Sequence, residues 1–109
     1  MPYDEGVAQR VREAFAEREG VIEKKMFGGI CFMEQGHMCV GVLEDRLMAR
    51  VGPDQYEEAL AQPHAREMDF TGRKMKGFVY VDAAGFAEED ELEAWIARCE
   101  RFILSLPPK

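Results

Sequence analysis

The hydrophobic pattern between Lys24 and Val51 organises the chain. Apolar residues form short runs there, and small polar groups at positions 34–37 and 44–45 separate the runs. In the middle run apolar side chains recur at every other position, which is the period of a strand. We therefore predict a meander of three antiparallel strands, at residues 21–34, 38–43 and 46–51.

A Gly28-Gly29 pair interrupts the first of these strands. It is either a tight turn between two short strands or a bulge that bends one long strand. Apolar residues continue on both sides of the pair, and a polar turn follows only at Glu34. The pattern therefore favours the bulge and a single strand from Val21 to Glu34.

Three helices flank this region. The first is capped by Asp4 and repeats apolar residues at Val7, Val11 and Phe15, which is the spacing of one buried helix face. A short second helix follows the Gly-Pro-Asp sequence that starts at residue 52. The last helix has the strongest pattern, with apolar residues three and four apart at Leu92, Trp95, Ile96, Cys99, Phe102, Ile103 and Leu106.

A polar stretch precedes the last predicted strand. Residues 64–77 contain a short strand around Glu67–Phe70 and a turn at Thr71-Gly72, and the sequence GFVYV at residues 77–81 is typical of a strand. The element order is α-β-β-β-α-β-β-α, so we predict an α+β fold with one antiparallel sheet flanked by helices. No linker, repeat or low-complexity segment divides the chain, and we expect residues 1–109 to form a single domain.

Charge and composition limit the class of partner. The 109 residues carry a net charge of −7 with a pI near 4.8, and such a surface repels nucleic acid and anionic membranes. Direct binding to nucleic acid is therefore disfavoured. The sequence has no basic and apolar leader and no apolar run of about 20 residues, so we expect no membrane insertion. Three cysteines without paired spacing indicate a reduced, soluble, cytoplasmic protein rather than a disulfide framework.

Cys31, His37 and Cys39 invite a metal hypothesis. Zinc takes about four ligands in a tetrahedron, so the strand register decides whether these residues can share an ion. A two-residue turn puts Cys31 opposite Val40 and the two thiols on opposite faces, whereas a three-residue turn puts Cys31 opposite Cys39. No fourth ligand is evident in either register, and a buried cysteine is commonly just a small apolar residue. We therefore predict no metal and no other cofactor.

The sequence carries no catalytic motif. It lacks the nucleotide-binding, zinc-protease and serine-hydrolase signatures, and only His37 and His64 are available to activate a cysteine. The carboxylates at residues 88–93 are explained by a helix start, where negative charge favours the positive end of the helix dipole. We predict that the protein is not an enzyme.

Two groups of basic residues stand out against the acidic background. The first precedes the strand at residue 77 and the second lies on the meander: Arg66, Arg73, Lys74 and Lys76, then Lys24, Lys25 and Arg50. If they converge, they can hold an anion, an acidic segment of a partner or a few phosphates. The alternative is solvated charge paired locally with Glu67 and Asp69, and we favour that alternative.

Several motifs occur together in a fixed order: KKMFGG at residues 24–29, LMARVGPDQYEEAL at 47–60, MDFTGR at 68–73 and MKGFVYV at 75–81. Through them the chain resembles the N-terminal domain of the TfoX/Sxy family, from Tyr3 to its end. The resemblance implies a helix, three strands, a helix, two strands and a helix. Members of the family are associated with natural competence and with transcription dependent on the cyclic-AMP receptor protein, where they act as co-regulators. Longer members also carry a C-terminal helical domain, which these residues do not include.

The resemblance and the acidic surface together indicate a small regulatory module that binds another protein. We expect the following residues to contact a partner or ligand: Lys25, Phe27, Arg50, Asp69, Arg73 and Lys76. We expect the following residues to shape the backbone: Gly28, Gly29, Gly72 and Gly77. The alternative function is a small-molecule or anion-binding domain that uses the Arg66–Lys76 loop and the meander face. An exposed edge strand on the meander would also allow a homodimer.

Overall fold

The computed structural model describes residues 3–70 and 72–107, and it describes residues 70 and 73 by their backbone alone. None of the helices in this part of the chain is long and apolar enough to cross a membrane. In chain order the elements are α1 (Glu5–Ala14), β1 (Val21–Met26), β2 (Gly29–Glu34), β3 (His37–Leu43), β4 (Arg46–Arg50), α2 (Tyr56–Leu60), β5 (Ala65–Phe70), β6 (Arg73–Val81), a short 3-10 helix (Ala83–Phe86) and α3 (Glu89–Ile103).

The strands form one antiparallel sheet in the order β1-β2-β3-β4-β6-β5. Strands that are neighbours in the sheet are joined by two-residue connections, with one exception. Between β4 and β6 the chain also forms α2 and β5. The predicted α+β fold with one antiparallel sheet is confirmed, although the number of strands differs from the prediction.

The predicted bulge at Gly28-Gly29 is wrong, because the chain reverses there. Met26 pairs with Gly29 across a two-residue turn made of Phe27 and Gly28. Both turn residues have positive φ, 57° at Phe27 and 79° at Gly28, as the favoured two-residue hairpin turn requires. The predicted long strand is therefore two strands, β1 and β2, and the meander has four.

The stretch before the last predicted strand is a hairpin rather than a loop. β6 begins at Arg73, well before the predicted start at Gly77, because pairing with β5 extends the strand through the basic residues. Thr71 of the predicted turn lies outside the described residues, and Gly72 follows it with a φ of 79°. The predicted Arg66–Lys76 loop is thus the two arms of the β5–β6 hairpin.

One face of the sheet packs against the helices and forms the helix-side core. α1 begins at its predicted cap, where the Asp4 carboxylate accepts a hydrogen bond of 2.9 Å from the Val7 N–H. The helix buries Val11, and Phe15, directly after its last residue, is buried with its ring stacked on Phe32 at 5.7 Å between the ring centroids. α3 buries most of its predicted stripe: Leu92, Trp95, Ile96, Cys99 and Ile103.

The other face carries a second core, which we call the methionine face. Side chains alternate along a strand, so residues two apart share a face. The methionine face contains six of the chain's seven methionines together with five other residues: Met26, Met33, Met38, Met48, Met68, Met75, Phe27, Cys31, Leu43, Phe78 and Tyr80. In the described part of the chain, no helix contributes a residue to it.

Candidate functional site

The methionine face is partly core and partly surface. Cys31, Met48 and Met68 have no exposed area. Around them pack six residues that are only partly buried: Met26, Phe27, Met33, Leu43, Met75 and Phe78. Ile22 lies directly opposite Met33, on the same face, and is 63% exposed. Apolar side chains therefore reach solvent along this face as far as the β1 edge of the sheet.

In the described strands, the charged residues on this face are all basic. Each of four basic residues lies directly opposite a member of the methionine face: Lys24, Arg46, Arg50 and Arg66. Within the described strands, no Asp or Glu takes such a position. Since the chain as a whole carries a net charge of −7, this face is opposite in sign to the molecule.

Two of these arginines pack over one aromatic ring. The guanidinium carbons of Arg46 and Arg66 lie 4.5 Å and 5.5 Å from the centroid of the Tyr80 ring. Each also pairs with a carboxylate at the rim, Arg46 with Glu44 at 2.7 Å and Arg66 with Asp82 at 2.8 Å. Their charges are therefore largely balanced within the protein.

Arg50 is held by aromatic rings instead of by a carboxylate. Its guanidinium lies 5.8 Å from the Phe78 ring centroid and 5.4 Å from that of Phe102, and Nη1 donates a 3.4 Å hydrogen bond to the Met38 carbonyl oxygen. Each ring contact is worth roughly 0.5–1 kcal/mol at an exposed site. Neither Arg50 nor Lys24 forms an ion pair with any residue that is described. Both positive charges are therefore available to an external anion.

The predicted contact residues do not form one site. Lys25 and Phe27 lie at the end of the sheet where β1 turns into β2. Arg50, Asp69 and Arg73 lie at the opposite end, where β4 stops and the β5–β6 hairpin turns. The Arg73 side chain is outside the described part of the structure. The strand register thus divides the set between two ends of the sheet.

Lys24, which the sequence analysis did not select as a contact residue, has a better position than Lys25. Lys25 lies opposite Ile30, a residue of the helix-side core, so its side chain leaves the other face of β1. Lys24 lies opposite Cys31, on the methionine face. Residues two apart on a strand share a face, so Lys24 lies on the same face as Met26 and Lys25 does not. This alternation in the sequence could have distinguished the two lysines.

The glycines predicted to shape the backbone occupy two kinds of position. Gly28, Gly72 and Gly77 have φ of 79°, 79° and 93°, in the left-handed region that other residues rarely adopt. Gly29 is constrained by a close approach, because a Cβ there would lie 2.0 Å from the Val42 carbonyl oxygen. β2 and β3 therefore leave no room for a side chain at Gly29.

The basic residues of the β5–β6 hairpin are mostly paired within the protein. Arg66 donates two hydrogen bonds to the Asp82 carboxylate and thereby holds the pKa of that carboxyl below its usual range. Lys74 lies 3.5 Å from Glu67, which agrees with local pairing. Lys76 is exposed and forms no ion pair with a described residue. A small-molecule site on this hairpin stays a prediction.

Cys31 and Cys39 lie on opposite faces of the sheet. The turn between β2 and β3 has two residues, but β3 contains an extra residue near the Phe32–Met33 step, so Cys31 lies opposite Gly41 rather than Val40. Cys31 belongs to the methionine face and Cys39 to the helix-side core. Among the residues described, no three or more His, Cys, Asp or Glu side chains form a group that could hold a metal ion.

The environments of the cysteines disfavour nucleophilic chemistry. Burial raises the pKa of the Cys31 thiol to about 11. A hydrogen bond with the Cys99 thiol, together with burial, raises the pKa of Cys39. Both thiols are uncharged at neutral pH, whereas a nucleophilic cysteine needs a lowered pKa. The buried His37 ring lies with Nε2 2.6 Å from the Pro107 carbonyl oxygen.

Comparison with known proteins identifies the family. The family model of the TfoX N-terminal domain matches residues 13–103. No curated protein and no solved structure matches the chain. The matched range contains every strand of the sheet, and so it includes both the helix-side core and the methionine face. The chain therefore belongs to the TfoX N-terminal domain family.

Proposed function

We propose that this TfoX N-terminal domain is a cytoplasmic regulatory module without catalytic activity, and that it works by binding another protein through the methionine face. The observation that carries the proposal is an apolar surface whose strand charges are all basic, on a molecule of net charge −7. The occupant that fits such a surface is an acidic protein segment with apolar side chains.

Methionine suits the apolar part of this contact. Its side chain is unbranched and polarisable, so a methionine-rich surface can repack against partners of different shape. Met26, Met33 and Met75 are only partly buried, whereas Met48 and Met68 are fully buried beneath the surface. Burial of partner side chains here would contribute about 25 cal/mol per Å² of apolar area.

The basic residues would set the orientation and rate of binding. Lys24 and Arg50 have no ion-pair partner among the described residues, so a partner carboxylate would not have to displace an internal one. Charges at an interface rim mainly accelerate association and select the partner. Binding is therefore expected to weaken as ionic strength rises.

Family membership supports the proposal of a regulatory role. Members of the TfoX/Sxy family are associated with competence and with transcription dependent on the cyclic-AMP receptor protein. A protein of the transcription machinery that carries an acidic and apolar segment is therefore the partner we propose.

Two adjacent lysines give a matched test. Lys24 and Lys25 are both exposed on β1, but only Lys24 lies on the methionine face. We expect Lys24→Glu to abolish capture of the partner from native lysate and Lys25→Glu to leave it unchanged. The two variants make the same change of charge and should have the same melting temperature.

Four outcomes would contradict the proposal. Equal loss of capture in both variants would indicate a general charge effect, and loss only in Lys25→Glu would place the contact on the other face. Capture that disappears after nuclease treatment would indicate a nucleic acid rather than a protein. An acidic peptide from the captured partner should compete with it, and failure to compete would contradict the proposed chemistry.

A further inference from the structure

We propose that a cavity between α3 and the turn from α2 to β5 binds a small organic carboxylate with an apolar body. The cavity has a volume of about 250 Å³ and is built from segments on the helix-covered side of the sheet. Its main walls are Pro63, His64, Ala84, Ala94, Trp95 and Arg98. None of these residues belongs to the methionine face, so this proposal does not depend on the protein-binding function.

α3 presents one side to the cavity. Glu91, Ala94, Trp95 and Arg98 are three and four residues apart, which places them in a single row along the helix. Trp95 lines the cavity although it is only 5% exposed, and Ala94 is the other apolar residue of the row. An apolar cavity of about 150 Å³ holds benzene, so this larger cavity has room for a ring and a carboxylate.

Arg98 supplies the anion-binding group. Its side chain is 20% exposed, and its guanidinium lies 5.0 Å from the centroid of the Trp95 ring. Nη1 is 3.4 Å from a Glu58 carboxylate oxygen, yet this buried nitrogen has no hydrogen-bond partner among the described residues. Unmet donors on a guanidinium are costly, and a carboxylate is the acceptor that best matches their geometry. Because Nη1 itself is buried beside Glu58, a ligand carboxylate would bind at the part of the Arg98 guanidinium that lines the cavity.

Glu58 pairs with Arg98 from outside the cavity lining, and the carboxylate that lines the cavity, Glu91, lies far from Arg98. Glu91 is seven residues earlier on α3, which corresponds to about 10 Å along the helix axis. Its carboxylate accepts a 2.9 Å hydrogen bond from the Glu88 N–H and caps the helix. A carboxylate ligand is therefore directed to the Arg98 end, and its apolar body lies along Trp95 and Ala94.

The wall opposite α3 is preformed. His64 has a φ of 67°, a conformation that is uncommon outside glycine and that concentrates at functional sites. Its carbonyl oxygen accepts a 2.9 Å hydrogen bond from the Asp82 N–H. A Cβ at Gly85 would lie 2.7 Å from Val81 Cγ1 and 3.1 Å from His64 Cβ, so the 3-10 helix packs directly on this turn. Little ordering would accompany binding, which favours affinity for a small ligand.

Trp95 is the chain's single tryptophan, so one NMR signal reports on the cavity. We expect phenylacetate and isovalerate to shift the indole N–H resonance of Trp95, with dissociation constants in the millimolar range. Phenylacetamide has the same ring without the charge, and we expect it to bind at least about tenfold more weakly. If neither carboxylate moves the signal at about 10 mM, or if phenylacetamide binds as well as phenylacetate, the proposal is wrong.

Three variants locate the binding. Arg98→Gln should weaken phenylacetate at least about tenfold, while Arg101→Gln, the same change elsewhere on α3, should leave it unchanged. Ala94→Phe fills the cavity from an exposed helix position and should abolish binding even though Arg98 remains. Unaltered binding in both Arg98→Gln and Ala94→Phe would overturn the assignment. Lys24→Glu should bind phenylacetate normally, which separates this test from that of the protein-binding face.

Discussion

Glu34 is buried, and its surroundings disfavour the charged form of its carboxyl group. It is 5% exposed, and one of its carboxylate oxygens has no hydrogen-bond partner among the residues described. Burial, together with the neighbouring Glu100 carboxyl, raises the pKa of Glu34 to about 7 from an ordinary value of 4.5. Arg18 opposes this shift but is itself bound to Glu100 at 2.6 Å.

The raised pKa predicts how stability depends on pH. An acid with a higher pKa in the folded state stabilises the fold fully below its unfolded pKa, and that stability is lost as pH rises through the folded pKa. The free energy of unfolding should therefore fall between about pH 5 and pH 8, and Glu34→Gln should remove most of the fall. At about pH 8 we expect the variant to be more stable by roughly 1–3 kcal/mol, as measured by urea denaturation.

A matched control is available on the surface. Glu17 is exposed, and Glu17→Gln should leave the pH dependence of unfolding unchanged. A Glu34→Gln variant whose stability differs from wild type by the same amount at pH 5 and pH 8 would contradict the assignment to Glu34.

At the scale of single residues, the sequence identified some important positions but not the structural reason for their importance. The KKMFGG motif drew attention to Gly29, but the reason lies in the Val42 carbonyl oxygen of another strand, and no local pattern contains that distance. Likewise Lys24 and Lys25 are equivalent in composition and differ only through the register of β1 with β2. Such features depend on pairing between strands, which the sequence encodes only indirectly.

At the scale of elements, helices were easier to predict than hairpins. The stripes of α1 and α3 are local and periodic, and the structure has both helices. The first hairpin was missed because its turn is Phe27-Gly28, and a phenylalanine with a φ of 57° gives none of the usual Asn-Gly or Asp-Gly signal. The start of β6 was missed because Arg73–Lys76 is polar, as a strand near a sheet edge is allowed to be.

The second hairpin turn can be improved by a local change. Gln35 and Gly36 join β2 to β3 with φ of 57° and 83°. Asparagine tolerates the left-handed region better than glutamine, so Gln35→Asn should raise the free energy of unfolding by about 0.5 kcal/mol. A β-branched residue is strained there, so Gln35→Val should lower it. Equal stability of the two variants in urea denaturation would show that the turn does not limit stability.

At the scale of the molecule, one sheet separates two different cores. The helix-side core is closed by α1, α2 and α3, whereas the methionine face is built from the strands and their turns in the described chain. The α+β class could be predicted from the order of elements. The methionine face could not, because its methionines come from all six strands of the sheet and share a face only in the final register.

The division of the methionine face into core and surface predicts an order of oxidation. Met26, Met33 and Met75 are partly exposed, whereas Met48 and Met68 are fully buried. Under dilute hydrogen peroxide the first three should form sulfoxides well before the last two, as followed by mass spectrometry of peptides. In urea the five should react at similar rates. Early oxidation of Met48 or Met68 in the folded protein would show that the face opens in solution.

The order of the strands bears on how the chain folds. Neighbouring strands are close in sequence everywhere except at β4 and β6, so the four-stranded meander and the β5–β6 hairpin can each form from local contacts. When β4 pairs with β6, the meander and the hairpin join and a loop that contains α2 is closed. The entropic cost of closing that loop is incurred in this one pairing step. The pairing of Ala49 with Val79 lies at the seam. We therefore expect the folding rate to be set where β4 meets β6, while the rest of the sheet assembles quickly on either side.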